Sequence, residues 1–276
     1  MSWLYVPAPL ARVAVLRIVA FLFVPVDVLL TTTWVRGHAQ VPGELYVPLR
    51  LGRLLPLPTP GPWVEVLQVV LVAAALAAAL LAVRDRLPRV AGWGVACLYL
   101  QWMVVAMSYG KVDHDRFAFL VLLFVLPSVG RAGLRSAERS EAAGWALSMV
   151  AAAVVATYVL AAVAKVRFGG LDWVDGATLT RAVLRRSTAL SEPLLALPWG
   201  LHAAQYGIVA MELLVAPLLL VRWKDERRTW ALAAGFLGFH VVTFAMITII
   251  FLPHCVALLA LLPLERLVRL REAVHR

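Results

Sequence analysis

YVLAAVAKVRFGGLDWVDG, Tyr158 to Gly176, brings a lysine off the end of an apolar run and into a Gly-Gly turn followed by Asp-Trp-Val-Asp-Gly. The run leading into it, Ala143 to Ala164, carries no charged side chain. At ~1.5 Å per residue it covers a hydrocarbon core of ~30 Å, so it reads as a membrane-crossing helix. Lys165 then falls where hydrocarbon meets headgroup. Two readings of that lysine follow: an ammonium snorkelling to the interface, or a partly desolvated amine able to act as a base.

Seven further apolar runs surround this one, at Ala11 to Thr31, Trp63 to Val83, Val90 to Met107, Phe117 to Val129, Leu201 to Val221, Trp230 to Ile249 and Leu252 to Leu264. Those from Phe117 and Leu252 are short for a crossing, so seven or eight transmembrane helices are expected, with eight preferred. The composition agrees: 62% of the 276 residues are hydrophobic and the mean hydropathy is +0.85. A soluble domain holds ~45–50% apolar residues, and the excess here could not be buried in one. The fold class is an all-α polytopic integral membrane protein, read as a single membrane domain over residues 1–276, with no C-terminal extramembrane domain.

The net charge of +10 does not point to nucleic acid, because the basic residues fall between the apolar runs and not along one amphipathic face. With the N-terminus inside, Arg84 to Arg89, Gly130 to Ala142, Arg222 to Thr229 and the tail after Leu264 are denser in Arg and Lys than the longer segments opposite. The positive-inside rule therefore predicts both termini cytoplasmic, in the plasma membrane. Arg12 and Arg17 ahead of an apolar run resemble a signal peptide, but Pro25 and Asp27 interrupt the run, and a retained first helix is expected. Cys97 and Cys255 lie in apolar runs, which leaves neither a disulfide framework nor a CxxC metal site. A phosphate-cradling glycine loop, an HExxH motif and a GxSxG elbow are all missing from the sequence, so an ATPase or zinc hydrolase is not expected and neither is a metal.

In this orientation the first outer loop, the His114 turn, the Lys165 loop and the Pro253-His254 turn share one side. The loop from Thr32 to Pro62 holds six of the sixteen prolines (Pro42, Pro48, Pro56, Pro58, Pro60 and Pro62) and reads as an irregular cap. Ala177 to Leu190 sets Leu179, Val183 and Leu190 against Arg181, Arg185 and Arg186, which predicts an interfacial amphipathic helix with Asp175 near its start as cap and Trp173 at the interface.

Ionisable groups at membrane depth cost roughly 2.5–3.5 kcal/mol each, so each needs a bonded neighbour or a task. Arg17 and Asp27 are nearly three turns apart in the first run and cannot pair directly. His202, Gln205, Val209 and Glu212 follow a 3-4-3 spacing that lines them up on one helix face. Glu212 is either a structural carboxylic acid bonded to a neighbouring helix or a functional group. His240 is either the donor or acceptor of a helix-to-helix hydrogen bond or a catalytic histidine. The turn from Ser108 to Leu120 is charged on both sides of His114 and is either a solvated loop or part of a site.

In their order these landmarks resemble the horizontally transferred transmembrane (HTTM) domain, the membrane part of vitamin K-dependent gamma-carboxylases and their bacterial relatives. The matches are the arginine-to-aspartate helix LRIVAFLFVPVDVLL, the turn Asp113-His114 entering a short helix, and Lys165 with Trp173-Val174-Asp175-Gly176. Glu212 in the next apolar helix and His240 followed by Phe251-Leu252-Pro253 complete the series. The resemblance covers roughly residues 10 to 265. It implies that Lys165 and His114 are catalytic, with Lys165 deprotonating a reduced, vitamin K-like quinone and His114 assisting. It also implies that Asp113, Trp173, Glu212 and His240 bind substrate. Asp113 stands where the family carries asparagine, and the loop before Trp173 is longer. With no gripping extramembrane domain in view, a protein partner supplying one is expected for peptide carboxylation. The competing class is a non-enzymatic membrane protein, either a small-solute transporter or a partner subunit; a transporter would show paired broken helices in an internal repeat, and no such repeat is visible.

Overall fold

A computed structural model describes residues 2–54, 57–221 and 226–268. Pro56, the loop residues Arg222 and Lys224, and the tail arginines Arg269, Arg271 and Arg276 lie outside the described residues. Among the described residues six helices are long and apolar enough to cross a membrane: α1 (Leu10–Thr31), α2 (Trp63–Val83), α3 (Arg89–Ala106), α5 (Glu141–Gly169), α7 (Pro198–Leu220) and α8 (Glu226–Ile247). Between them, α4 (Phe117–Val125) runs on as a 3-10 turn over Leu126–Val129, α6 is Thr178–Arg186, and α9 is Leu252–Leu261. The described residues are all-α apart from one two-residue strand pair, Ala8–Pro9 with Arg139–Ser140. Gly144 sits beside that pair, and a Cβ there would fall 2.0 Å from the carbonyl oxygen of Val6, so no larger residue fits.

The chain divides into two compact units, residues 1–150 with 263–276, and residues 151–262. The border falls inside α5. In the first unit α1 lies against α2 and α4, α2 against α3, and α3 against α4. Aromatic rings join three of them. Phe119 of α4 meets Phe23 of α1 and Tyr99 of α3 edge to face, at 5.2 and 5.3 Å between ring centres. In the second unit α6 packs on α7 and α8, and α8 on α9. Val183 of α6 is buried with Leu201 and Ile247 while Arg181, Arg185 and Arg186 are exposed, which is the amphipathic division expected of this segment, but the helix stops at Arg186 and Leu190, expected on its apolar face, lies beyond it and is exposed.

Several local expectations are corrected. α5 does not stop near Ala164 but continues to Gly169, so Lys165 lies one turn inside the helix end. The helix ends at Gly170, whose φ of +65° is the left-handed conformation that closes helices and that glycine adopts without strain. Asp175 does not cap α6: the first helical turn follows Ala177 with no side-chain cap, and the Asp175 carboxylate accepts a hydrogen bond from the Tyr206 hydroxyl. Arg17, which does not pair with Asp27, is buried and donates to the carbonyl oxygens of Leu126, at 2.6 and 3.2 Å, and of Gly130, at 2.7 Å. These are orphan carbonyls at the end of the α4 segment, and a cation there complements the helix dipole.

Candidate functional site

Lys165 and Glu212 come together. The Nζ of Lys165 lies 2.5 and 2.6 Å from the two carboxylate oxygens of Glu212, so α5 and α7 are joined by a two-pronged ion pair 47 residues apart in sequence. The backbone brings them into register from both sides. Extending α5 past Ala164 gives Lys165 a helical position on the same face as Tyr158 and Ala162. Glu212 sits in Met211–Val215, where α7 widens into a π turn, a feature that often marks functional positions because it rotates the following side chains out of α register. The Lys165 side chain keeps 20% of its surface accessible against 8% for Glu212, so the lysine is the more exposed member of the pair.

Trp173 belongs to the same cluster, with its ring centre 5.3 Å from the Lys165 Nζ, within the range of a cation-π contact. Its loop is held by Gln205. The amide nitrogen of Gln205 donates to the carbonyls of Val174, at 2.6 Å, and Gly176, at 2.9 Å, while its amide oxygen accepts from the Leu179 backbone N–H at 2.5 Å. Thr178 adds a bond from its hydroxyl to the Trp173 carbonyl at 2.9 Å. The 3-4-3 face of α7 thus serves two purposes: Gln205 clips the loop, and Glu212 two turns further on binds the lysine.

One step deeper in the same unit is a second polar group. The Tyr158 hydroxyl and the Nε2 of His240 are 2.7 Å apart, which is the helix-to-helix hydrogen bond anticipated for His240. His254 meets the Tyr158 ring edge to face at 4.7 Å, and His240 at 5.4 Å. The Nδ1 of His240 is buried without a hydrogen-bond partner. Lys165 and Tyr158 are seven residues apart on α5, about 10.5 Å along the axis. Sequence reasoning passed over Tyr158 and Gln205, since a tyrosine and a glutamine in an apolar run are compatible with many roles; the 3-4-3 spacing was the one signal for Gln205.

The remaining expected residues belong to the first unit. His114 opens the 3-10 turn His114–Arg116 and is exposed. Asp113 pairs with Lys111 at 3.0 Å and with Arg116 at 3.3 Å. His114 therefore belongs to the first unit and Lys165 to the second.

Around Arg116 the first unit builds a larger charge network that the sequence did not disclose. Its guanidinium reaches Asp27 at 3.1 Å and Asp115 at 3.2 Å. Asp27 also accepts from the Tyr99 hydroxyl at 2.7 Å and from the Thr31 hydroxyl, while Trp102 donates to the Thr32 hydroxyl at 2.9 Å. Burial works against the Arg116 charge, but Asp27, Asp115 and the Tyr99 phenol outweigh it and its pKa is raised. Burial pushes the Asp115 carboxyl up to about 6, against the pull of Arg116. Among the described residues no group of three His, Cys, Asp or Glu side chains is arranged to hold a metal ion. In comparisons with known proteins, no protein-family model, no curated protein and no solved structure matches the chain.

Proposed function

We propose that this chain is a membrane protein of the HTTM, gamma-carboxylase-like type, and that Lys165 and Glu212 form a proton-transfer site for a lipid-soluble quinol. In this reading α4 and α9 complete eight crossings, both termini are cytoplasmic in the plasma membrane, and the Lys165 loop faces outward with the His114 turn. The observation that carries the proposal is the ion pair itself: a lysine one turn inside a membrane helix, bonded to both oxygens of a buried carboxylate and with its side chain still partly accessible.

The residues fit a flat, hydroxylated ring. The Trp173 face offers a stacking surface within a few ångströms of Nζ, and a partly accessible lysine side chain can meet a hydroxyl. A quinol supplies an acidic O–H when bound. Proton exchange along the short Lys165–Glu212 bonds interconverts ammonium and carboxylate with amine and carboxylic acid without changing the net charge. As the free amine, Lys165 accepts the hydroxyl proton at Nζ. As the acid, Glu212 leaves the resulting ammonium uncompensated, and that positive charge then faces the anion. Gln205 keeps Trp173 over the amine throughout. A base acts only within ~2.6–3.2 Å of the proton it takes or through one water, which assigns the step to Lys165 within this unit.

The test is anaerobic titration of the protein in nanodiscs with a reduced naphthoquinone, following the absorbance of its ionised form. The wild type is expected to ionise about one equivalent, Lys165→Met none, and Glu212→Gln an intermediate amount. A wild type that ionises no more than empty nanodiscs would end the proposal. Outward orientation is tested separately by labelling single cysteines: one placed at Arg135 must resist, and one at Gly170 must accept, a reagent that cannot cross the membrane.

A further inference from the structure

The second half of α7 is not an α-helix. Met211–Val215 is a π turn and Ala216–Leu220 a 3-10 turn with Pro217 at its start; proline lacks the N–H that would continue the α ladder. Where α7 loosens, a groove of about 510 Å³ opens against α8, lined by Met211, Val215, Leu218, Leu232 and Phe236, with Arg228 at one end. Gly235 also lines it, and a Cβ built there would meet nothing within 4 Å, so open space continues beside the α8 backbone.

The dimensions match one leaflet. α8 has 22 residues from Glu226 to Ile247, enough to cross the hydrocarbon core. Arg228 lies in its first turn, at headgroup level, and Phe236 lies near its middle. From Arg228 to Phe236 is about 12 Å along the axis at ~1.5 Å per residue, close to half of a ~30 Å core. The charged end is also the basic one, since Arg227 and Arg228 follow Glu226 in the first turn of α8. Basic clefts between membrane helices at the headgroup level recognise anionic lipid heads, and an apolar channel one leaflet deep suits a single acyl chain.

We propose that this groove binds one anionic phospholipid, its phosphate at Arg228 and one acyl chain along Leu218, Leu232 and Val215 toward Phe236. The site rests on α7 and α8 crossing the membrane and is independent of the quinol reading. The experiment is native mass spectrometry with parallel thermal unfolding of the detergent-solubilised full chain, adding phosphatidylglycerol, phosphatidylcholine or glycerol phosphate. One phosphatidylglycerol retained per chain, with a rise in melting temperature that phosphatidylcholine and glycerol phosphate do not match, is expected. Arg228→Gln should weaken retention about fivefold, the effect of one cation at an anionic surface. Gly235→Leu, which fills the groove without meeting backbone, should abolish it, and Gly235→Ala should weaken it in a chain whose fold is least disturbed. Equal retention of phosphatidylcholine, binding of the headgroup alone, or undiminished retention in either Arg228→Gln or Gly235→Leu would overturn the proposal.

Discussion

The molecule carries two membrane carboxylates in π turns, Asp27 at the start of Asp27–Thr31 and Glu212 within Met211–Val215, and each is bonded to a cation from another segment. The likeness ends there. Asp27 is wholly buried and accepts from Arg116, Tyr99 and Thr31, while Arg116 is also bonded to Asp115 and Asp113. Glu212 has Lys165, which remains partly accessible. The network's bonds run between α1, α3 and the α4 entry and hold them in place, while the Nε of Arg116 is buried without a hydrogen-bond partner. A two-member pair with a partly accessible lysine has fewer bonds to give up to something that enters. The number of partners each carboxylate has, more than the presence of charge, separates the network from the pair proposed to react.

Removing the central cation of the first network should have the largest effect. Arg116→Met leaves the buried Asp27 and Asp115 without their shared guanidinium, and breaking a buried pair on one side costs about 3–5 kcal/mol. Thermal unfolding in detergent is expected to show this. A loss smaller than that of Lys165→Met would reverse the assignment of structural and reactive sites.

A pH effect sharpens the same contrast. The Asp115 carboxyl is raised to about 6 in the folded chain from an ordinary 3.8. The folded state therefore binds this proton more tightly than the unfolded state. The resulting stabilisation is full below about pH 4 and is lost as pH rises through about 6, a change of order 3 kcal/mol at most. Asp115→Asn is expected to flatten the melting-temperature profile across this window; an unchanged profile would place the titration elsewhere.

Gln205→Leu is expected to cost about 1–3 kcal/mol, since three hydrogen bonds to the Trp173 loop are lost and two carbonyls and one N–H are left to find others. Hydrogen exchange should locate the loss at residues 174–179. Protection that falls equally along α7 would mean that Gln205 supports the helix and not the loop. The smallest effect is expected from Lys165→Met combined with Glu212→Leu. Exchanging a buried ion pair for apolar residues of similar size is often near neutral, so the unfolding free energy should stay within about 1 kcal/mol of wild type while naphthoquinol ionisation disappears. A double variant as damaged as Arg116→Met would show the pair to be structural.

The membrane helices were legible in the sequence because their cause is local. A crossing segment must be long enough for the hydrocarbon core and must satisfy its own backbone, so Trp63–Val83 appears in the structure with the bounds its hydropathy predicts and the other long helices differ by a few residues at their ends. The amphipathic character of Thr178–Arg186 and the shared face of Gln205 and Glu212 were legible for the same reason, since helical periodicity is written along one segment. Pairing was decided by tertiary structure alone. Lys165 meets Glu212 across 47 residues, Tyr158 meets His240 across 82, and Arg116 meets Asp27 across 89. The spacing along α1 correctly excluded an Arg17–Asp27 pair but could not say that Arg17 would cap the α4 segment or that Asp27 would receive Tyr99. Those bonds depend on which helices lie side by side and on the π turns that re-aim Asp27 and Glu212, and both arise from packing between segments, which no single stretch of sequence contains.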